Sequence, residues 1–283
     1  MPNPSPKWVL EIYPKDKLLH INFKEIWQYR DLLMLLVRRD FVSVYKQTIL
    51  GPLWFIIQPI LTTLMFMVIF GGIAKISTDG MPQSLFYMAG IVTWNYFSAC
   101  ITTTSDTFIT NAGIFGKVYF PRIIMPLSVV ISKLISFGVQ FVLFLAFFFY
   151  YYFSGTILHP NATLLLLPIL IITSAGLGLG LGLIITSLTT KYRDFRFLIQ
   201  FAIQLAMYAS PVIYPLSSIP EKYKLFILAN PMSAIIETFK YSFLGSGDFN
   251  GYYLAYSVSF MLITLLLGVI IFNKVEKSFM DTV

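Results

Sequence analysis

Charge, cysteine and histidine are all scarce in this chain of 283 residues, and each scarcity excludes something. Only 12% of the residues are Asp, Glu, Lys or Arg, whereas a soluble domain carries about 25%. With 57% hydrophobic residues and a mean hydropathy of +0.76, the chain is an integral membrane protein. Cys100, the single cysteine, falls in an apolar stretch, so an intrachain disulfide and a cysteine-based metal site are both ruled out. His20 and His159 stand alone and are expected on opposite sides of the membrane, so they form no zinc-type cluster. No G-x-x-x-x-G-K-[ST] phosphate loop occurs; Gly116-Lys117 lacks both the upstream glycine and the following hydroxyl. If ATP drives this protein, another chain binds it. Acidic groups within the apolar stretches come down to Asp106, which disfavours a proton- or sodium-coupled carrier, since such carriers place ionisable groups near mid-membrane. His20, His159 and Asp106 do not assemble the acid–histidine cluster that a membrane glycosyl or acyl transferase needs. The first thirty residues hold Pro2, Pro4, Pro6 and eight charged side chains but no apolar run of signal-peptide type. The N-terminus is therefore expected to stay inside. The proline-rich start before Trp8 matches no motif.

What is abundant is apolar length. A helix needs about twenty apolar residues to cross a bilayer, and six windows qualify: Leu53–Ile73, Leu85–Ile109, Ile123–Phe153, Thr163–Leu188, Phe197–Tyr214 and Leu254–Phe272. The third is overlong, about 45 Å by helix rise, so it tilts or begins in the cytoplasm before Pro126. Six spans place both termini on one side. Of the twenty Lys and Arg, fifteen fall in the N-terminal region, the 110–122 and 189–196 loops and the C-terminal tail, against four in the opposite loops. By the positive-inside rule that side is the cytoplasm. Lys133 lies inside the third window, in its cytoplasmic half, and reads as a snorkelling or helix-packing lysine. The expected fold is an all-α integral membrane bundle of six transmembrane helices. An N-terminal region, 1–50, precedes the transmembrane domain, 51–275, and a cytoplasmic tail, 276–283, follows it.

Two stretches outside the spans carry a pattern. Ile26, Trp27, Leu33, Met34, Val37, Phe41 and Val44 fall on one face at helical spacing, with Leu32 and Leu35 off it, so an amphipathic interface helix is expected over 24–44. Residues 215–252 form a long outer connection in which Tyr223–Ala229 and Met232–Leu244 are apolar but short, separated by Asn230-Pro231. Two outer re-entrant half-helices fit best. A seventh span there would bury Glu237 and Lys240 and throw the C-terminus outside.

Within the spans, Gly176, Gly178, Gly180 and Gly182 place small residues four apart twice over, which suits close helix packing, with a hinge as the alternative. Pro52 sits at an early helical position where its missing N–H is harmless, and Gln58-Pro59 predicts a kink. The two prolines of Ser210-Pro211-Val212-Ile213-Tyr214-Pro215 end the fifth span abruptly and leave a turn or an outer gate. Trp54, Phe55, Phe66, Trp94, Tyr96, Phe97, Tyr208 and Tyr214 are either interface-belt and lipid-facing residues or the walls of a sugar conduit, where ring faces stack on sugar C–H faces.

Between the second and third spans, Asn111–Arg122 reads NAGIFGKVYFPR: a glycine-punctuated helix candidate, two cations and a helix-breaking Phe-Pro-Arg. Lys117 and Arg122 are too costly for hydrocarbon, so the segment reads as a docking knob on the cytoplasmic face, gripped by a soluble partner.

This segment, with LLVRRDFVSVYKQTILGPLW (35–54), KYRDF (191–195), SPVIYP (210–215) and NP (230–231), resembles the ABC-2 type permeases of bacterial polysaccharide exporters, the O-antigen, capsule and teichoic-acid group. The likeness covers roughly residues 27 to 275. It implies a coupling helix at 111–122 seated in a separate ATPase subunit through Asn111, Ile114, Phe115, Gly116, Lys117, Tyr119, Phe120 and Arg122. It implies a second cytoplasmic contact at 191–196 through Tyr192, Arg193 and Asp194, and a gate helix over 24–44 near the lipid-substrate entrance. It further implies a second copy of the chain as pore partner and a polymer on an undecaprenyl carrier as cargo, with Arg38, Arg39 and Lys46 meeting its pyrophosphate. Contact of these cations with anionic membrane lipid is the alternative. No cofactor is expected in this chain, ATP and Mg belonging to the partner, and no nucleic acid. The implied location is the bacterial inner membrane. An ABC-2 exporter of a drug or small lipid is the rival within the same fold.

Overall fold

The computed structural model describes residues 23–46, 49–115, 120–192 and 194–279. The proline-rich start, and Gly116, Lys117, Tyr119 and Arg193 among the expected contacts, lie outside the described residues. Those residues form helices and no strand, as expected. In chain order they are α1 (Phe23–Gln28), α2 (Arg30–Tyr45), α3 (Trp54–Phe66, continued by a π-helical turn, Met67–Ile73), α4 (Gln83–Ser105) and α5 (Thr107–Phe115). There follow α6 (Ile124–Phe153), α7 (Leu167–Lys191), α8 (Phe195–Tyr208), α9 (Glu221–Leu228), α10 (Pro231–Leu244) and α11 (Gly251–Phe279).

Four stretches are long and apolar enough to cross a bilayer: Gly51–Ile73, Ile124–Phe153, Ala162–Thr190 and Gly251–Val275. They match the first, third, fourth and sixth expected spans. The second, expected as Leu85–Ile109, corresponds to α4, which stops at Ser105 because Asp106 turns the chain with φ −98° and ψ 2°. At 23 residues α4 has the length, about 35 Å by helix rise. Thr93, Asn95, Ser98 and the run Thr102–Ser105 dilute its apolarity, and the neighbours α3, α6, α7 and α10 enclose it. The fifth, expected as Phe197–Tyr214, is cut to the 14 residues of α8, about 21 Å. Its helix ends two residues before Ser210 because Pro211 cannot donate to the ladder.

Packing around α7 explains the glycine run. Successive glycines two residues apart point about 200° apart on a helix, so the run splits between two neighbours. Gly176 and Gly180 face α11: a Cβ at 180 would lie 2.7 Å from the Leu265 backbone nitrogen, and Gly268 approaches in return, where a Cβ would lie 2.6 Å from Gly180 O. Gly178 and Gly182 face α4, where a Cβ would lie 2.5 Å from Cys100 Cβ and 2.6 Å from Thr104 Cβ. The run is therefore packing within the protomer. Lipid tails are as apolar as leucine, so what holds these helices together is such contact plus a few interhelical hydrogen bonds, rather than the hydrophobic effect. Ser84 Oγ donates to Tyr151 Oη at 2.9 Å, Thr189 Oγ1 to Ser105 O at 2.7 Å and Ser257 Oγ to Pro231 O at 2.7 Å.

At the outer end, α9 and α10 occupy the stretch expected to hold two half-helices. Asn230 caps α10 by accepting from Met232 N at 3.0 Å, Pro231 takes the first helical position, and Gly245 ends the helix in the left-handed region at φ 74°. The loop before α7 is fastened onto α10 by Asn161 Nδ2, which donates to Tyr241 O at 3.0 Å, and by Thr163 Oγ1 against Ser242 Oγ at 2.7 Å.

α2 follows the expected stripe in part. Tyr29, which precedes it, and Leu32, Leu33 and Leu36 turn onto the core, at i, i+3, i+4 and i+7, and Val37 is buried, so Leu32 belongs to the packed face. Trp27, Met34 and Leu35 point outward. The helix is apolar on two sides, one against α6 and the core and one left bare.

Candidate functional site

The end of the bundle that the charge pattern assigns to the cytoplasm is built around an elbow. Asp106 breaks the helix, and α5 runs on as a separate nine-residue piece whose helical part begins four residues before 111 and stops at Phe115. Phe120 and Arg122 lie beyond it and lead into α6. Two contacts tie the elbow to the end of α7 and the start of α8. Asp106 Oδ1 accepts from Arg196 Nε at 2.8 Å, and the Thr189 hydroxyl reaches Ser105 O. The two connections expected to face inward, 90 residues apart in sequence at that ion pair, are thus one clasped unit. The pair is 38% and 20% exposed, and partly exposed pairs contribute at most about 1 kcal/mol. Asp106→Asn should therefore lower stability by no more than about 1 kcal/mol, measured by thermal unfolding in detergent; a larger loss would show that the clasp holds the fold rather than the elbow's position.

The expected partner contacts divide sharply. Asn111, Phe115, Phe120 and Arg122 are only 5–9% exposed and point into this chain. Phe115 stacks on Phe120 at 5.8 Å, the Arg122 guanidinium lies 5.5 Å over the Phe115 ring, and Phe108 stacks on Phe272 of α11 at 4.8 Å. With Leu36 of α2 and Leu183 of α7 these rings form an inner core separate from the one around α4. Ile114 is half-buried, while Tyr192 and Asp194 are exposed. The face of α5 left open is Ile109, Thr110 and Gly113, none of which the sequence singled out. The usable signal was the seven-residue spacing of Phe108 and Phe115, which puts both rings on one side and 109, 110 and 113 away from it.

Cations on α2 and just after it divide too. Arg39 donates to Asp40 Oδ1 from Nε at 2.9 Å and from Nη2 at 2.7 Å, and Nη2 also reaches Asn111 Oδ1 at 3.3 Å. It joins α2 to α5. Arg38 and Lys46 are exposed. Two residues on from Arg39, Phe41 stacks on Phe55 of α3 at 6.1 Å and 16°.

Of the eight aromatic candidates, Phe55 and Tyr96 face a common cleft between α3, α4 and α6. Trp54 is exposed beside them. Phe66 packs edge-on to Tyr87 at 6.1 Å, and Trp94 to Phe97 at 5.4 Å, all buried among helices. Tyr214 Oη donates to Tyr208 O at 3.0 Å, so those two serve the broken end of α8.

That broken end is held by an unusual group. Lys240, fully enclosed, donates from Nζ to Pro211 O at 2.5 Å and Val212 O at 3.5 Å and lies 3.5 Å from the centre of the Phe86 ring. It supplies the donors that the proline-broken backbone lacks. Glu237, one turn earlier, is buried, and neither of its oxygens has a partner at hydrogen-bonding distance. Burial pushes the Glu237 carboxyl up from the ordinary carboxylate range, opposed by the Lys240 charge. Among the described residues no cluster of His, Cys, Asp and Glu could hold a metal ion.

Residues 31–244 match the family described as ABC-2 type transporter. The chain is similar to an O-antigen export system permease protein RfbA of Klebsiella pneumoniae, 29% identical over 252 residues, 89% of this chain and 94% of that protein. A protein of the same name from Myxococcus xanthus is 27% identical over 219 residues, 77% of this chain and 82% of the relative. The polysialic acid transport protein KpsM of Escherichia coli is 23% identical over 237 residues, 82% of this chain and 89% of the relative.

Proposed function

This chain belongs to the ABC-2 type transporter family, and we propose that it is the permease subunit of an ATP-driven exporter that passes an undecaprenyl-linked, O-antigen-like polysaccharide across the bacterial inner membrane. In this reading α4 and α8 complete a set of six spans, both termini are cytoplasmic, and α9 and α10 are re-entrant half-helices at the outer mouth. Two copies form the pore, and separate ATPase subunits supply hydrolysis. RfbA relatives covering nine-tenths of the chain support the cargo class.

The observation that carries the reading is the clasped elbow. Asp106–Arg196 and Thr189–Ser105 O bind the two inward connections to each other, and Arg39–Asn111 binds the elbow to the gate helix. A push on the open face of α5 then moves α2 and the start of α8 together. Buried contacts such as Phe115 and Phe120 transmit that push, while Ile109, Thr110 and Gly113 receive it.

The test replaces Ile109 and Thr110 by aspartate. Both are exposed, so the chain should still fold, as judged by its elution and thermal unfolding. Export of surface polysaccharide should fall at least tenfold and co-purification of the ATPase should be lost. Normal export by the double variant would remove α5 from the coupling role. Transport by the purified chain alone, with no nucleotide-hydrolysing partner, would overturn the whole reading.

A further inference from the structure

The cleft between α3, α4 and α6 has a volume of about 250 Å³ and holds a cation that no structural role accounts for. Its polar lining is Gln58, Asn95, Ser98, Lys133, Ser136 and Gln140, and its rings are Phe55, Tyr96 and Phe137. Among the described residues Lys133 makes no ion pair. Asn95 Nδ2 donates to Gln140 Oε1 at 3.3 Å, which orients the Gln140 amide and leaves its NH2 as a donor. Lys133 stands nine residues into α6, about 14 Å along its axis, inside the stretch Ile124–Phe153 that is long and apolar enough to cross a bilayer. An ionisable side chain within such a stretch faces the bundle interior or a wet cavity and marks a ligand path. Lys133 lines the cleft together with residues of α3 and α4.

The chemistry of the lining selects the ligand. An ammonium and amide N–H groups want an anion rich in oxygen acceptors. Rings on the same walls suit the C–H face of a sugar. At about 250 Å³ the cleft is smaller than the roughly 300–1,000 Å³ of pockets for drug-sized ligands, so it fits one ring and its phosphate rather than a length of polymer. We propose that this cleft binds a sugar phosphate, Lys133 and the amides holding the phosphate and Phe55, Tyr96 and Phe137 flanking the sugar. This rests on the exporter reading and sharpens it: the carrier-linked end of the cargo is held inside the protomer, at a place other than Arg38, Arg39 and Lys46. Phe41 of the gate helix stacks on Phe55, so the cleft wall and the interface helix are in direct contact.

The full-length chain in nanodiscs tests this with a short-chain polyprenyl diphosphate glucose as a radiolabelled probe. Lys133→Gln should weaken binding about tenfold to a hundredfold, the range of a hydrogen bond to a charged group, and Lys133→Arg should bind within about threefold of the parent. Ser136→Phe, which fills the cleft while keeping the charge, should also abolish binding. Unchanged affinity in both Lys133→Gln and Ser136→Phe overturns the proposal. So does full competition by phosphatidylglycerol, which carries a phosphate but no sugar and would assign the cleft to bulk lipid. Competition by sugar-bearing phosphatidylinositol mannoside alone would uphold a sugar-phosphate site and identify a membrane glycolipid as its source. The exporter reading fails separately: cells lacking this chain would then display normal surface polysaccharide, whatever the binding data say.

Discussion

Lys240→Met should destabilise the protein by about 3–5 kcal/mol, the cost of removing one partner from a buried charge arrangement. Two losses combine. Glu237 keeps its burial but loses the ammonium one turn away, and the carbonyls of Pro211 and Val212 lose their donor. The second loss separates this site from an ordinary ion pair, because the lysine also repairs a backbone broken by proline. Denaturant or thermal unfolding of the detergent-solubilised chain measures the effect, and a double-mutant cycle apportions it. Glu237→Gln added to Lys240→Met should restore part of the stability and no more, since the stranded carbonyls remain. The single variant should also respond to pH with a definite sign. A carboxyl whose folded-state pKa is raised binds more protons folded than unfolded, so stability is present at low pH and falls as pH rises through the folded value. Acid should therefore rescue Lys240→Met and leave the double variant unmoved. A single variant as stable as the parent would mean that water or lipid already serves the Pro211 and Val212 carbonyls.

Gly180→Leu should be as damaging for a different reason. Even a Cβ at 180 would lie 2.7 Å from Leu265 N, 2.8 Å from Thr264 C and 2.9 Å from Thr264 O, all main-chain atoms that no rotamer change can move aside. Parting α7 from α11 is the only relief, and it opens the contact along its length, including Gly268 against Gly180 O. Overpacking in well-packed interiors typically costs about 1–3 kcal/mol, occasionally more, and a leucine against backbone belongs at the upper end. The comparison that makes the test specific is Gly138→Ala in α6, where a Cβ would meet nothing within 4 Å. There the exchange should be neutral or stabilising by up to about 1 kcal/mol. If both substitutions behave alike in an unfolding assay, close approach at Gly180 is not what the stripe is for.

How much of this was legible in the sequence depends on the distance over which the physics acts. Hydropathy is local, so four spans, the helical class and the two short outer helices could be read residue by residue. Asn230-Pro231 was read as the break between those two helices, and the cap by which it starts α10 is local chemistry too. The glycine run announced close packing, although not that alternate glycines serve different neighbours. What stayed hidden was rotation and long-range partnership. A helix apolar on two sides gives no unique face, which is why Leu32 of α2 was placed off the stripe it belongs to. The elbow residues were found by their composition, but composition does not say that Phe115 and Phe120 turn inward and Ile109 and Thr110 outward. Asp106 with Arg196 and Lys240 with Pro211 pair across 90 and 29 residues, and nothing near either partner in the chain predicts the other. Lys133 was legible as a charge inside a span, read as snorkelling or helix-packing; only the structure shows the cleft that it lines.

The three helices welded along the glycine run, α4, α7 and α11, leave no gap through which one could slide past another. By contrast α3 and α8 meet the rest of the protomer along one side and show bare apolar side chains, such as Leu61, Leu64 and Met65 or Phe197, Phe201 and Leu205, on the other. A stiff slab flanked by two lightly attached rods has its moving parts assigned before any ligand arrives. Opening a passage for something as wide as a sugar chain would therefore be a displacement of the rods, with the slab as the fixed wall.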